Sequence, residues 1–424
     1  MSRIKLLGVF ILFVLPISAQ SLEECRRLAN EHYPEIKRYD IISKTEQYSL
    51  ANAAKAWIPQ LQFFSQASYQ SSVSTYPKLL GLLLNLAGEN GYMQKDQYRV
   101  AIDVNQLIWD GGKNRANKSL INAESNEQSK TVDVTLYQVQ QRVDNLYFGI
   151  LLLDERIKQT ELTSNLIERN LDKVRSLYKN GVAMQSDVDE MEVEFISIKQ
   201  KLEQVKTVRF SYRQMLEIFI GQRLWDENLM RPTAQIPIVR TSLRPEIQLF
   251  EAQINKIDAQ KKLLNASVMP IMSAFAQGFY GYPGLDMFKS MMSSRWRLDG
   301  IIGVRLTWNL AAFYTQHNSL KKLKLAKEQI DLQKEIFLFN TNIQTTQDDG
   351  EIERLRKTVS DDEKILKLRR SIRIAAESQL EQGVIDTSDL LNKITAEQLA
   401  LQIQSEHEIE LLQTIYRLKN SLNQ

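Results

Sequence analysis

Two proline-free stretches of nearly 70 residues set the strongest limit on how this chain can fold. They cover 113–180 and 316–382 and contain one glycine each, Gly149 and Gly350. At about 1.5 Å per residue, an unbroken helix over either stretch would approach about 100 Å. Apolar residues recur along them at coiled-coil spacing, as in the series Val143, Leu146, Ile150, Leu153 and Ile157. Helices with such a stripe must pack on one another.

The chain is also an internal duplication. Residues 33–36 match 244–247 at an offset of 211, residues 107–110 match 306–309 at 199, and residues 181–187 match 383–389 at 202. Similarity repeated in the same order indicates two copies of one structural unit. The change in offset places about 12 extra residues of the first half between Pro59 and Trp109, and we expect a loop there.

Each half is predicted to contain a helix, two strands, a very long helix, a tight turn and a helix. The first repeat covers 20–220, with strands at about 57–73 and 97–110 and helices at 113–180 and 184–220. A linker at 221–242, interrupted by Pro232 and Pro237, leads to the second repeat at 243–424. Its strands are expected at about 270–282 and 296–309, and its later helices at 316–382 and 387–422.

Three of the four strand segments alternate apolar and polar residues with a period of two. Odd positions of 60–70 and even positions of 98–108 and 298–307 are mainly apolar, while 271–280 is apolar but alternates poorly. Such runs are typical of membrane-barrel strands and equally of half-buried strands in a soluble sheet.

The number of strands limits the membrane interpretation. Four strands cannot close a barrel, since about eight are needed, and open sheet edges are not tolerated in lipid. Either the strands belong to a soluble sheet or several chains share one barrel, and three chains would supply twelve strands. The apolar stretch 79–87 between the first two strands is predicted to be a small packed helix, with a lid or a partner surface as the alternative.

The first twenty residues have the features of a signal peptide. Arg3 and Lys5 precede an apolar stretch over 6–17, and small residues follow for cleavage near Ala19. The apolar stretch is shorter than the roughly 20 residues that span a bilayer, which disfavours an uncleaved anchor. We therefore expect residues 1–19 to be a signal peptide and the chain to be exported.

Composition excludes several classes of function. The 54 Lys and Arg nearly balance the 51 Asp and Glu, so no basic surplus favours nucleic acid. The one cysteine, Cys25, cannot form an internal disulfide and is expected to be an unmodified thiol. The three histidines lie far apart, and no catalytic triad or phosphate-binding glycine loop stands out. We predict no enzyme activity, no cofactor and no metal site.

The duplicated set of landmarks resembles the TolC-type outer-membrane efflux proteins, also called outer membrane factors, over nearly the whole mature chain. The resemblance is carried by the 34–36 helix, the 57–61 strand entry, the 107–112 strand exit, and the turns at Gly181 and Gly383. It implies a mainly helical chain with a small β part. A long-helix α-barrel in the periplasm would continue a transmembrane β-barrel, with four strands per chain and twelve in a homotrimer.

The same resemblance implies a function, partners and a location. Members of this family are passive exit ducts in outer-membrane lipid, with a long periplasmic extension. They receive substrate through a periplasmic adaptor, or membrane fusion, protein from an inner-membrane pump of the resistance-nodulation-division or ABC type.

By resemblance, the two turns correspond to the adaptor-contacting tips. The residues concerned are Gly181, Val182, Ser186, Gly383, Val384 and Ser388. Glycine suits the left-handed end of a helix, and the serines, or Thr387 in the second turn, are expected to cap the helices that follow.

Asp389 occupies a position where relatives place a carboxylate at the narrowest ring, and three copies would form a cation-attracting constriction. Asp386 and Asp187 are expected to contribute to the same constriction. The family's second carboxylate is here Asn392 and its basic partner Ile385, so this sequence departs from the usual ionic lock.

A secreted or periplasmic coiled-coil scaffold or adhesin without transport activity is the alternative. It accounts for the leader and the long helices. It does not account for the alternating strands, and it predicts a protein that is extracted without detergent.

Overall fold

The computed structural model describes residues 21–86, 92–224, 229–233, 235–237 and 242–423. The predicted signal peptide and parts of the predicted linker lie outside these residues. The described elements fall into two compact units, which we treat separately. Of the described residues, the first unit comprises those within 21–38, 131–248 and 334–423, and the second comprises those within 39–130 and 249–333.

Most of the described chain is helical. In the first half the helices are α1 (Leu22–His32), α2 (Arg38–Ala54), α3 (Lys78–Leu86), α4 (Lys113–Lys179) and α5 (Gln185–Ile220). In the second half they are α6 (Pro245–Ser267), α7 (Met287–Met292), α8 (Ala312–Glu381) and α9 (Thr387–Leu422). The strands are β1 (Gln60–Tyr69), β2 (Asp96–Trp109), β3 (Ile271–Tyr282) and β4 (Arg297–Thr307). None of the described helices combines the length and the apolar character needed to cross a bilayer.

The first unit is built around α4, α5, α8 and α9, with α1 packed on them. One core cluster joins α1 to α4, α5 and α9 through side chains such as Cys25, Val143, Phe148 and Leu216. Burial and the neighbouring glutamates raise the pKa of the Cys25 thiol to about 12, so the thiol is protonated at neutral pH. A second cluster joins α4, α5, α8 and α9 around the two helix turns.

The early helix is broken rather than continuous. α1 ends at His32, Tyr33 is extended with ψ 129°, and a short 3-10 turn, Pro34–Lys37, precedes α2. The residue before a proline is driven out of the helical region by a clash with the proline ring. The landmark that reveals the duplication is therefore also a helix breaker.

The second unit contains a four-stranded antiparallel sheet in the order β1-β2-β3-β4. The central pair, β2 and β3, joins the two halves of the duplication, with Ile102 opposite Gly278. The outer strands β1 and β4 each pair with one neighbour in this chain. The sheet is therefore open at both edges.

The connection between β1 and β2 contains α3, at the position of the small helix predicted over 79–87, of which residue 87 lies outside the described residues. Leucines of this helix are exposed in the described part of the chain, in contrast to the expected packed element. Leu79, Leu82, Leu83 and Leu86 are all exposed. They lie at i, i+3, i+4 and i+7, so they form one stripe along the helix.

Candidate functional site

Both predicted turns lie in the first unit and have the same backbone conformation. Gly181 has φ +74° and Gly383 has φ +69°. A Cβ added at either position would meet no atom within 4 Å, so the left-handed backbone, not crowding, favours glycine here.

Each glycine ends a long helix with two hydrogen bonds. The Gly181 amide donates to the Tyr178 carbonyl at 2.9 Å, and the Val182 amide donates to the Leu177 carbonyl at 3.0 Å. In the second turn, the Gly383 and Val384 amides donate to the Leu380 and Gln379 carbonyls at 3.0 and 2.9 Å. These bonds satisfy carbonyls that the helix end leaves free.

The helices that follow are capped by aspartates. A carboxylate oxygen of Asp386, the N-cap of α9, accepts from the Asp389 amide at 2.7 Å. In the first turn the N-cap is Met184, and the carboxylate of Asp187 reaches back to accept from the Met184 amide at 2.8 Å. The predicted capping by Ser186, Ser388 or Thr387 is wrong, because residues 184 and 386 occupy the N-cap positions. A carboxylate at a helix start also complements the helix dipole.

Packing places the two turns side by side. The cluster beneath them contains Val174 and Val188 from the first turn's helices and Leu380 and Leu390 from the second's. Lys173 of α4 also pairs with Glu381 of α8, with 2.7 Å between nitrogen and oxygen. The duplication therefore brings two distant segments of sequence to one surface.

The predicted contact residues are accessible. The side chains of Val182 and Val384 are each 67% exposed, an unusual level for valine. Gly181, Ser186, Gly383 and Ser388 are exposed as well.

The three predicted constriction carboxylates differ in their partners. Asp386 and Asp187 accept the capping hydrogen bonds, whereas Asp389 is exposed and its carboxylate forms no hydrogen bond or ion pair with the described chain. No described contact joins Asp187 to either of the other two. The structure therefore places Asp386 and Asp389 together and leaves Asp187 in the neighbouring turn.

An ionic cluster above the turns was not singled out from sequence. Glu397 of α9 is buried and pairs with Arg373 and, at 3.3 Å, with Arg370, both of α8. Arg373 also contacts Glu377 at 2.8 Å. Burial alone would lower the pKa of Arg373, but the hydrogen bond to Glu397 helps to raise it overall. In the sequence alone, these charged residues are typical of a solvated helix face. Their pairing becomes visible only in the structure, where α8 packs against α9.

The two faces of the sheet in the second unit differ sharply. The strand register places alternate residues of all four strands on one apolar face: Leu61, Phe63, Val100, Ile102, Val104, Ala274, Ala276, Tyr280, Leu298, Ile302, Val304 and Leu306. The opposite face carries amide and charged side chains, among them Gln62, Gln66, Arg99, Asp103 and Arg305. Several apolar-face side chains are largely exposed in the chain, including Leu298 at 80% and Ile302 at 83%.

The family model described as outer membrane efflux protein matches residues 28–222, nearly the whole first repeat. Over these residues the match supports the resemblance to the TolC-type outer-membrane efflux proteins that the sequence landmarks carry. No curated protein sequence matches the chain at a significant level.

Solved structures show the same fold along almost the entire chain. The outer membrane protein VceC of Vibrio cholerae is 14% identical with a TM-score of 0.68, covering 95% of this chain and 94% of VceC. The CmeC outer membrane channel of Campylobacter jejuni is 13% identical with a TM-score of 0.68, at coverages of 95% and 86%. The MtrE outer membrane channel of Neisseria gonorrhoeae, in its open state, is 14% identical with a TM-score of 0.65, at coverages of 95% and 88%.

These likenesses confirm the predicted fold class, mainly helical with a small four-stranded sheet. VceC, CmeC and MtrE are themselves described as outer membrane proteins or channels.

Proposed function

We propose that three copies of this chain form an exit duct in the outer membrane, through which substrate passes passively from the periplasm to the outside. The apolar face of the open sheet is the observation that carries the proposal. A continuous exposed apolar surface of this size is unusual for a soluble monomer and marks a surface that something else covers. Lipid suits it, because the pattern alternates strand by strand with a polar face.

The open edges explain why one copy is insufficient. Within the described residues, β1 and β4 each pair with a strand on one side only, and lipid offers no partner to the hydrogen-bonding groups of the other side. Pairing β1 of one copy with β4 of the next would satisfy both edges. Three copies would close a twelve-stranded barrel with its polar faces towards a lumen, which supports the trimer.

The exposed helix turns support a docking role for this part of the chain. We assign the contact with a periplasmic adaptor protein to Gly181, Val182, Ser186, Gly383, Val384 and Ser388. The two exposed valines project from rigid, doubly hydrogen-bonded turns, so they offer apolar contact at little entropic cost. An inner-membrane pump of the resistance-nodulation-division or ABC type would act through that adaptor.

We assign the narrowest part of the duct to Asp389, with Asp386 and Asp187 nearby. Three symmetry copies of Asp389 would form a ring of carboxylates that attracts cations. The support is that the Asp389 carboxylate is exposed and makes no contact within the described chain.

A matched pair of substitutions tests the membrane assignment. Ile302 lies on the apolar face and Ile301 on the polar face at the centre of β4. A lysine facing lipid near the bilayer midplane costs about 2–4 kcal/mol, whereas a lumenal lysine faces water. Ile302→Lys should therefore reduce the amount of assembled trimer in the outer-membrane fraction, while Ile301→Lys should leave it close to the wild-type level.

The wild-type reference is the mass of the protein purified from separated outer membranes, with bound detergent subtracted. We expect about three times the mass of the mature chain. A water-soluble monomer or dimer, with equal effects of the two lysine variants, would reject the duct and favour the coiled-coil scaffold.

A further inference from the structure

Two of the arginines on the polar face of the sheet, Arg99 and Arg305, each lie over a phenylalanine of β3. The guanidinium carbon of Arg99 is 4.3 Å from the centre of the Phe279 ring, and that of Arg305 is 4.6 Å from the centre of the Phe275 ring. We infer that Arg99 and Arg305 form two anion-contact sites in the lumen of the sheet and favour anionic substrates, such as carboxylates and phosphates. This inference rests on the proposed function, which makes this face the lumen.

The register explains how both pairs form. Arg99 on β2 is opposite Gly281 and therefore diagonal to Phe279, while Arg305 on β4 is opposite Ser273 and diagonal to Phe275. Diagonal neighbours on one face of a sheet lie within reach of long and aromatic side chains. Both arginines thus lean towards the middle strand from opposite sides.

Gly303 provides the space for one of these pairs. It lies directly opposite Phe275, and a Cβ there would come 3.0 Å from the ring. The absence of a side chain at this position lets the Phe275 ring lie towards β4, where the Arg305 guanidinium covers it. Alanine at Gly303 would push the ring away from this position.

Each guanidinium carbon lies over a ring face, a contact that uses none of the N–H donors. Arginine presents five donors in a planar fork that matches carboxylate and phosphate oxygens, and an aromatic face engages only the plane. Neither Arg99 nor Arg305 forms an ion pair within the described chain. Each guanidinium group is therefore held in place by the ring, and its N–H donors remain available to an anion in the lumen.

The carboxylates on the same face do not neutralise these arginines by contact. Asp103 accepts a hydrogen bond from the Gln277 side chain at 2.6 Å, and Asp299 accepts from the Leu285 amide at 2.9 Å. The polar-face neighbours of Arg305 on its own strand are Gly303 and Thr307, which carry no charge. In a trimer, Arg305 would form a ring of three cations without an adjacent acid.

The test is the ion selectivity of the purified trimer in a planar bilayer. The reversal potential would be measured in a KCl gradient between about 0.01 and 0.1 M, where the Debye length is about 30 to 10 Å and fixed charges act strongly. Arg99→Gln with Arg305→Gln should lower the chloride-to-potassium permeability ratio by about twofold or more. The charge-keeping pair Arg99→Lys with Arg305→Lys should retain most of the wild-type ratio.

Lys262→Gln removes one positive charge from the exposed face of α6, outside the sheet, and serves as the control. It should leave the permeability ratio unchanged. An unaltered ratio in the double glutamine variant, with normal conductance, would overturn the assignment of these arginines while leaving the duct intact. A wild-type protein that forms no conducting trimer would instead refute the proposed function itself.

Discussion

The two helix turns have the same backbone conformation, but their aspartates cap the following helices from different positions. At Gly181 and Gly383 the chain takes the same left-handed conformation and the same pair of hydrogen bonds. In the second turn, the carboxylate of Asp386 reaches forward from the N-cap; in the first, Asp187 reaches back from the third helical position. The duplication therefore preserves the geometry of the turn while its capping chemistry varies.

This difference decides which carboxylate is left for another role. Asp187 and Asp389 are equivalent in the duplication, at an offset of 202. Asp187 has to cap its helix, because Met184 at the N-cap has no oxygen to offer. In the second turn Asp386 caps the helix, so the Asp389 carboxylate is not needed for capping. The asymmetry singles out the second turn as the one with a free charge.

The largest effect that separates the turns should come from the packing beneath them. Val188 and Leu390 are equivalent positions, 6% and 0% exposed, in the same cluster. Leu390→Ala should lower the free energy of unfolding by about 2–5 kcal/mol, because it leaves a cavity in a fully buried site. Val188→Ala should cost about 1.5 kcal/mol, since fewer carbon atoms are removed.

Thermal unfolding followed by circular dichroism would measure both effects in detergent. Leu399→Ala, at an exposed position of α9, is the matched control and should change stability by less than about 0.5 kcal/mol. Equal losses for Leu390→Ala and Leu399→Ala would contradict the packing of α9 against α4, α5 and α8.

Substitutions at the N-caps of the two turns should change the free energy of unfolding by less than Leu390→Ala does. Asp386→Ala removes the acceptor for the Asp389 amide and should destabilise the protein by about 1 kcal/mol, whereas Asp386→Ser keeps a capping oxygen and should restore most of it. Met184→Ser supplies the first turn with the N-cap oxygen that it lacks and should stabilise it by a comparable amount. Unfolding in denaturant would report these shifts, and a destabilising Met184→Ser would refute the capping difference.

The long-range organisation of this fold could be predicted from sequence because it depends on repeated, periodic features. Two patterns were sufficient to predict a mainly helical chain with four strands. They are the absence of proline over 113–180 and 316–382 and the alternation of apolar and polar residues in the strands. The positions of the glycine turns followed from the same pattern. Local capping was not predictable, because serine and aspartate compete for the N-cap and the backbone decides between them.

The central strand β3 shows where sequence patterning fails for a physical reason. Its residues alternate poorly because Phe275 and Phe279 lie on the polar face, where a sequence pattern predicts polar side chains. The arginines that cover these rings come from β2 and β4, far away in sequence. Only the register brings the pairs together, so the sequence of β3 shows the irregular pattern but not its explanation.

Asp389→Asn should cause the smallest change in stability. Compared with Asp187→Asn, it tests the difference in helix capping between the two turns most directly. Asp389 contributes no capping bond through its side chain, so its substitution should alter stability by less than about 0.5 kcal/mol. It should nevertheless reduce the potassium-to-chloride permeability ratio and weaken block by multivalent cations, since it removes the free carboxylate of the proposed constriction.

Asp187→Asn should affect stability more than ion selectivity, the reverse of Asp389→Asn. Its carboxylate is half-buried and already occupied by the Met184 amide, so it is less available to a hydrated cation and more important to the helix start. We therefore expect a measurable loss of stability and a smaller change in selectivity, measured on the same bilayer and unfolding preparations. If both variants shift selectivity equally, the two turns contribute equally to the constriction, and the capping asymmetry does not determine which carboxylate meets the ion. If neither does, the narrowest ring of the duct lies elsewhere.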